Sequence, residues 1–132
     1  MASRSSKCLP YILIVDGDAG IRKFISEVIC SWHCVAIEAT SGQEALDILT
    51  HRHVDVVLCD LVMPGMEGAK TLRAIRQQAP GLPVVMMGAM MTPDLREQLS
   101  HMGAQSCVAK PMGRNDLALA LFPWCFPGAS QA

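Results

Sequence analysis

Five short apolar runs punctuate the chain: YILIV at 11–15, CVAIEA at 34–39, VDVVLC at 54–59, PVVMM at 83–87 and QSCVA at 105–109. Most lack the strict alternation of a strand with one wet face, so they read as strands covered on both sides. Between them the period changes to that of a helix. Ile21, Phe24, Ile25, Val28 and Ile29 recur at the i, i+3, i+4, i+7, i+8 spacing of one apolar face. Ala45, Ile48 and Leu49 repeat that pattern behind Ser41, an N-cap with Glu44 three residues on in capping-box position. A third helix is predicted from about Glu67 to Gln78, with Leu72, Ile75 and Ala79 inward, and APGLP stops it. Thr92 and Pro93 open a fourth, lined by Leu95, Leu99 and Met102 and ended by Gly103. Asn115 or Asp116 opens a fifth, through Leu117 and Leu121.

Strand and helix therefore alternate five times, which predicts an α/β fold with a doubly wound, five-stranded parallel sheet and five helices. Such sheets bind ligands beyond the carboxyl ends of their strands. Three polar residues fall there: Asp16 after strand one, Asp60 after strand three and Lys110 after strand five. Strand four ends on Gly88 and Ala89, with no polar side chain. By itself, Asp60 suits a strand-end cap, a metal ligand or a nucleophile. With Asp16 and Lys110 converging on the same rim, the set suits a hard cation and a phosphoryl group.

The remaining composition narrows this picture more than it adds to it. The chain has 132 residues, one domain of ordinary size, and a formal net charge of −1, which draws it toward neither nucleic acid nor an anionic membrane. It contains no apolar stretch long enough to span a bilayer, and its polar start lacks a secretion signal's apolar core, so a cytoplasmic location is expected. The six cysteines are Cys8, Cys30, Cys34, Cys59, Cys107 and Cys125; Cys59 and Cys107 lie in strand-like runs, where cysteine packs as a small hydrophobe. CSWHC at 30–34 is a weak metal pattern without a second CxxC pair. Met86, Met87, Met90 and Met91 read as core and helix-edge packing, and Arg73 and Arg76 as a solvated helix face.

ILIVDGDAGIR, DVVLCDLVMPGMEG, PVVMMGA and VAKPM, in this order and spacing, resemble the receiver (CheY-like) domain of two-component response regulators over about residues 10–122. The resemblance implies a sheet order of 2-1-3-4-5, with residues 1–9 a flexible N-terminus and 123–132 a C-terminal tail. It implies that Asp60 accepts a phosphoryl group from a sensor histidine kinase or phosphotransfer protein, as part of a phosphorelay. Asp16, Asp60 and the backbone carbonyl of Val62 would hold Mg²⁺, with Asp18 either a further metal contact or the cap of the first helix. Lys110 would pair with the phosphoryl oxygens, ahead of Pro111, whose preceding peptide is often cis in the family. A signalling switch is implied rather than an enzyme. A downstream target or output domain would dock on the face made by helix four, strand five and helix five, about residues 92–121, a homodimer being a further assembly; no direct nucleic-acid or membrane contact is implied.

The chain departs from the family pattern at three working positions. Gly17 stands where the family has a second acid, Gly88 where it has Ser or Thr, and Cys107 where it often has Tyr or Phe. Losing one carboxylate beside a divalent ion costs roughly 1–3 kcal/mol net, one to two decades of affinity, so weak Mg²⁺ binding is expected. The alternative is a degenerate pseudo-receiver, the same fold used as a protein-binding module without phosphorylation. A flavin-binding domain of the same layered architecture is disfavoured, because no phosphate-cradling loop follows strand one.

Overall fold

The computed structural model describes residues 9–63 and 67–128. Residues 1–8, which hold Cys8 and most of the expected N-terminal arm, lie outside them, as do residues 64–66 of the Met-Pro-Gly-Met stretch and 129–132 of the expected tail. Strands β1 (Tyr11–Val15), β2 (Val35–Ala39), β3 (Val56–Asp60), β4 (Val84–Gly88) and β5 (Ser106–Ala109) alternate with helices α1 (Ala19–Ser31), α2 (Gly42–His51), α3 (Gly68–Gln78), α4 (Pro93–His101) and α5 (Arg114–Cys125). All strand pairs are parallel, in the order β2-β1-β3-β4-β5. That is the expected architecture.

Successive strand residues point to opposite faces, so each face builds its own core. Ile12, Ile14, Val56, Leu58, Val85 and Met87 pack with Ile25 and Ile29 of α1 and Leu117 and Leu121 of α5. Leu13, Val15, Val57, Cys59, Val84 and Met86 pack with Ala45 of α2, Leu72 and Ile75 of α3 and Leu99 of α4. Every residue of β3 and β4 is buried. This explains why their runs show no alternation: neither face is wet.

Local signals place most helix ends. Asp18 caps α1, its Oδ1 accepting from the N–H groups of Gly20 (2.8 Å) and Ile21 (3.3 Å). Ser41 caps α2 by accepting from Glu44 N (3.2 Å). The reciprocal half of the expected box is shifted, because Glu44 Oε1 accepts from Thr40 N (2.7 Å), one residue upstream of the cap. Thr92 caps α4 with Pro93 in its first turn. Gly103 leaves α4 at φ +106°, in the left-handed region that glycine enters without strain.

Three expectations need correction. Helix α5 starts one residue before Asn115, capped through Gly113 N donating to Asp116 Oδ2 (2.8 Å), and continues through Pro123 to Cys125. Its last turn therefore takes up the start of what was expected to be tail. Arg76 is not a solvated side chain: it lies against Gly103 and donates to the carbonyls of Pro80 (2.8 Å) and Leu82, tying the α3 exit together. Met86 and Met87 are core residues as expected, but Met90 is 76% exposed.

Candidate functional site

Strand register brings the three predicted side chains together. Val15 pairs with Cys59, so Asp16 and Asp60 leave neighbouring strands side by side. Asp60 pairs with Met87, Leu61 N donates to Met87 O (2.8 Å) and Lys110 N donates to Gly88 O (2.9 Å), which continues the ladder across to the end of β5. The Lys110–Pro111 peptide is cis.

At this edge Lys110 Nζ lies 2.8 Å from Asp16 Oδ2 and 3.0 Å from Asp60 Oδ1, bridging both carboxylates. Asp16 is 1% exposed and Asp60 7%, so both carboxylates are mostly withdrawn from water. Asp16 is held on both oxygens, since its Oδ1 accepts from Asp18 N (2.8 Å). Burial raises the Asp60 carboxyl above its ordinary range. The Lys110 ammonium and the Val62 N–H draw it down, the Asp16 charge pushes it further up, and burial prevails. For Lys110 burial works downward, but the two carboxylates outweigh it and hold the ammonium above its usual range.

The signs translate into stability. Asp60, with a raised folded value, contributes stability below the unfolded carboxyl value of about 3.9, lost as pH rises through the folded value. At neutral pH its charge is therefore a cost in the metal-free protein. Asp60→Asn is expected to raise metal-free stability at pH 7 by about 0.5–1 kcal/mol, a few degrees in midpoint. Thermal unfolding in chelator at pH 7 and near pH 4 checks this, because the gain should shrink as the parent carboxyl takes up its proton. Lys110 follows the same sign in a higher window: its contribution is complete below about pH 10.4, so it is present at neutral pH, and is lost only as pH rises through its raised folded value.

Each remaining position has a definite place. Gly17 follows Asp16 and offers no ligand. Gly88 ends β4, and a Cβ there would come 3.0 Å from Leu61 Cδ1 and 3.3 Å from Met91 Cε. Leu61 and Met91 thus fill the space above it. Cys107 is half-buried, and its carbonyl accepts from Arg96 Nη1 (3.1 Å). Burial pushes its thiol up. Beside it a groove of about 360 Å³ runs between α4 and α5, lined by Arg96, Ala109, Pro111 and Leu119 among others. Val62 is 82% exposed at the rim. Asp18, the helix cap, also reaches the site through its N–H on Asp16.

Two residues that matter here were missed. Gly68, at the start of α3, donates its N–H to Leu61 O (2.9 Å), and a Cβ there would lie 2.2 Å from Asp60 O and 2.6 Å from Leu61 Cα. Arg22 donates through Nη1 to Asp16 O (2.7 Å) and pairs through Nε with Glu38 (3.0 Å), fastening the β1 exit to α1 and β2. Its position four residues after a helix cap was the available hint. Among the described residues no three His, Cys, Asp or Glu side chains gather as a metal-ligand set, so the two acids stand as a pair. Among them also, no helix is long and apolar enough to cross a membrane.

A five-stranded doubly wound domain with two acids and a lysine joined at its carboxyl edge defines a class of phosphoryl-handling signalling domains. The chain belongs to the response regulator receiver domain family, whose pattern it matches over residues 12–122. It is 33% identical over 106 residues to sporulation initiation phosphotransferase F of Bacillus subtilis (strain 168), covering 80% of this chain and 86% of that protein. It is 37% identical over 98 residues to the DNA-binding transcriptional regulator NtrC of Klebsiella pneumoniae, covering 74% of this chain but 21% of that longer protein. Among solved structures, chemotaxis protein CheY4 of Vibrio cholerae superposes with a TM-score of 0.84 at 25% identity, covering 89% of this chain and 99% of that one. The chain is thus a receiver domain of two-component signalling.

Proposed function

We propose that Asp60 is the phosphoacceptor of this receiver domain, taking its phosphoryl group from a histidine of a sensor kinase or phosphotransfer protein. The observation that carries this reading is the bridge from Lys110 Nζ to Asp16 and Asp60 at 2.8 and 3.0 Å on the edge where ligands reach such sheets. In the transfer an Asp60 oxygen attacks phosphorus, the donor's nitrogen–phosphorus bond breaks, and the imidazole leaves and is protonated. The Lys110 ammonium, already within reach of Asp60, is free to turn to the new phosphoryl oxygens, exchanging one anionic partner for another. The named phosphotransferase relative supports the reaction class.

The donor set fits a small hard cation. Two carboxylates side by side at a rim are what Mg²⁺ takes while keeping several waters. Asp16, Asp60 and the Val62 carbonyl would hold it, with Asp18 the remaining candidate beyond its capping role. When bound, the ion neutralises charge on the phosphoryl oxygens. Because Gly17 supplies no third carboxylate and Asp16 already has both oxygens engaged, binding would be weak and would compete with Lys110 for Asp16.

Signal leaves by contact. With Gly88 in place of a hydroxyl and the space above it filled by Leu61 and Met91, no side-chain hydroxyl is offered to the phosphoryl group on that side, and the backbone N–H of Ala89 is the candidate donor left there. The groove beside Cys107 on the α4–β5–α5 face is the surface offered to a target or output domain.

Incubation with a small phosphodonor and Mg²⁺, followed by intact-mass measurement, tests the reading. The expected result is a gain of one phosphoryl group in the parent and none in Asp60→Asn. No gain in the parent would indicate the phosphorylation-independent binding module instead.

A further inference from the structure

At the other end of the sheet, two buried thiols share one core cluster. Cys34 is the last residue of the α1–β2 connection and Cys125 is the last residue of α5; they are 5% and 7% exposed. The segments that carry them pack together: Trp32, two residues before Cys34, meets Phe122, one turn before Cys125, with ring centroids 4.7 Å apart. We propose that Cys34 and Cys125 are a reversible dithiol, and that their oxidation to an intrachain disulfide fastens the last turn of α5 to the α1–β2 connection.

The seam they would close is otherwise held by side-chain contacts alone. Trp32 stacks edge-on against Phe122 at 4.7 Å, Phe122 against Phe126 at 5.5 Å, and Arg114 Nη2 donates to Ser31 Oγ (2.8 Å). The last turn of α5 is intrinsically weak. Pro123 has no N–H to give to the Leu119 carbonyl one turn earlier, so that backbone hydrogen bond is missing. A helix end lacking a hydrogen bond opens more readily than the sheet beneath it. Opening exposes Cys125 and uncovers Cys34 behind it.

The closed state protects the pair. Burial pushes the Cys34 thiol up, and burial with the facing Cys34 pushes Cys125 up to about 12, so both stay protonated and inert while the turn is docked. In the opened turn one thiol ionises and attacks a peroxide. A sulfur–oxygen bond forms, the oxygen–oxygen bond breaks, and hydroxide leaves to become water. On reclosing, the second sulfur displaces hydroxide from the sulfenic acid, and its own proton completes a second water. Two thiols lose two electrons and one peroxide gains them. A dithiol reductant reverses the step by exchange. Cys30, exposed near the end of α1, is the competing thiol.

The test treats the reduced full chain with hydrogen peroxide, blocks remaining thiols by alkylation, and maps peptides after cleavage that includes the Trp32–His33 bond, which separates Cys30 from Cys34. The expected product is a monomer lighter by two hydrogens, with the Cys34 and Cys125 peptides joined. It forms equally in Cys30→Ser and is lost in both Cys34→Ser and Cys125→Ser. Because the bridge closes a loop of most of the chain, the thermal midpoint should rise by about 5 °C or more and fall back with dithiothreitol. A bridge that engages Cys30, a disulfide only between chains, or irreversible oxidation without a bridge would overturn the proposal.

Discussion

Gly68→Ala should cost about 3 kcal/mol or more of stability, or prevent folding. A methyl group at this position would sit 2.2 Å from the Asp60 carbonyl oxygen and 2.6 Å from Leu61 Cα. Both are backbone atoms at the end of a fully buried strand, so neither yields by a rotamer change. The first turn of α3 would have to move away from β3, which breaks the hydrogen bond from Gly68 N to Leu61 O and withdraws Leu72 from its core contacts. Urea unfolding, with the midpoint compared at equal slope, measures the loss. A cost below about 1 kcal/mol would mean that α3 sits further from Asp60 than described. Gly81, whose Cβ would meet nothing within 4 Å, is the control, and Gly81→Ala should be close to neutral.

Lys110→Ala is the second large effect. Removing the ammonium leaves Asp16 and Asp60 facing each other in a site that excludes most water, with oxygens that had shared one cation. Breaking such a pair by deleting one partner costs about 2–3 kcal/mol for a site at the rim rather than the centre of the core. The cost has a pH signature. With the cation gone, burial and the Asp16 charge push the Asp60 carboxyl up without the Lys110 ammonium to draw it down, so the variant's deficit is large at neutral pH and recovers as pH falls and Asp60 protonates. A deficit unchanged between pH 7 and pH 4 would mean that lost packing, and not unpaired charge, is responsible. Millimolar Mg²⁺ should also restore part of it in Lys110→Ala, by supplying the missing positive charge.

The sheet and the three site residues were legible for the same reason. A strand buried on both faces shows as an unbroken apolar run, and the residue that ends the run marks the carboxyl edge. Asp16, Asp60 and Lys110 could therefore be placed on one rim from the chain alone, and the register puts them within hydrogen-bond reach. What escaped were contacts made between elements distant in sequence. Gly68 fell at the start of the predicted third helix with no role of its own, because the approach of α3 to the Asp60 backbone depends on how the helix docks. Arg76 falls on the outward side of an amphipathic pattern, yet its long side chain bends back to the carbonyls of Pro80 and Leu82. Pro123 was placed in the C-terminal tail, yet it lies inside α5. It is accommodated because the carbonyl it leaves without a partner belongs to Leu119, which is 79% exposed, so water can serve it. Met90, expected to pack, faces solvent because the chain has already left β4 there.

Gly17, Gly88 and Cys107 were legible as departures, but not in their consequences. Only the packing reveals that Leu61 and Met91 close over Gly88 and that the small Cys107 borders an open groove. These surroundings leave the contacts of Lys110 with Asp16 and Asp60 intact, so on the proposed reading the departures bear on metal affinity and signal output, while the proposed phosphoacceptor keeps its setting.

The most direct measurement is to locate the phosphoryl group chemically. After incubation with a small phosphodonor and Mg²⁺, borohydride reduces an acyl phosphate to the alcohol, and peptide mass mapping then identifies the reduced side chain. Reduction at Asp60, with Asp16 and Asp18 untouched, is the expected result; reduction at another acid, or at none, would contradict the assignment of Asp60 as the phosphoacceptor.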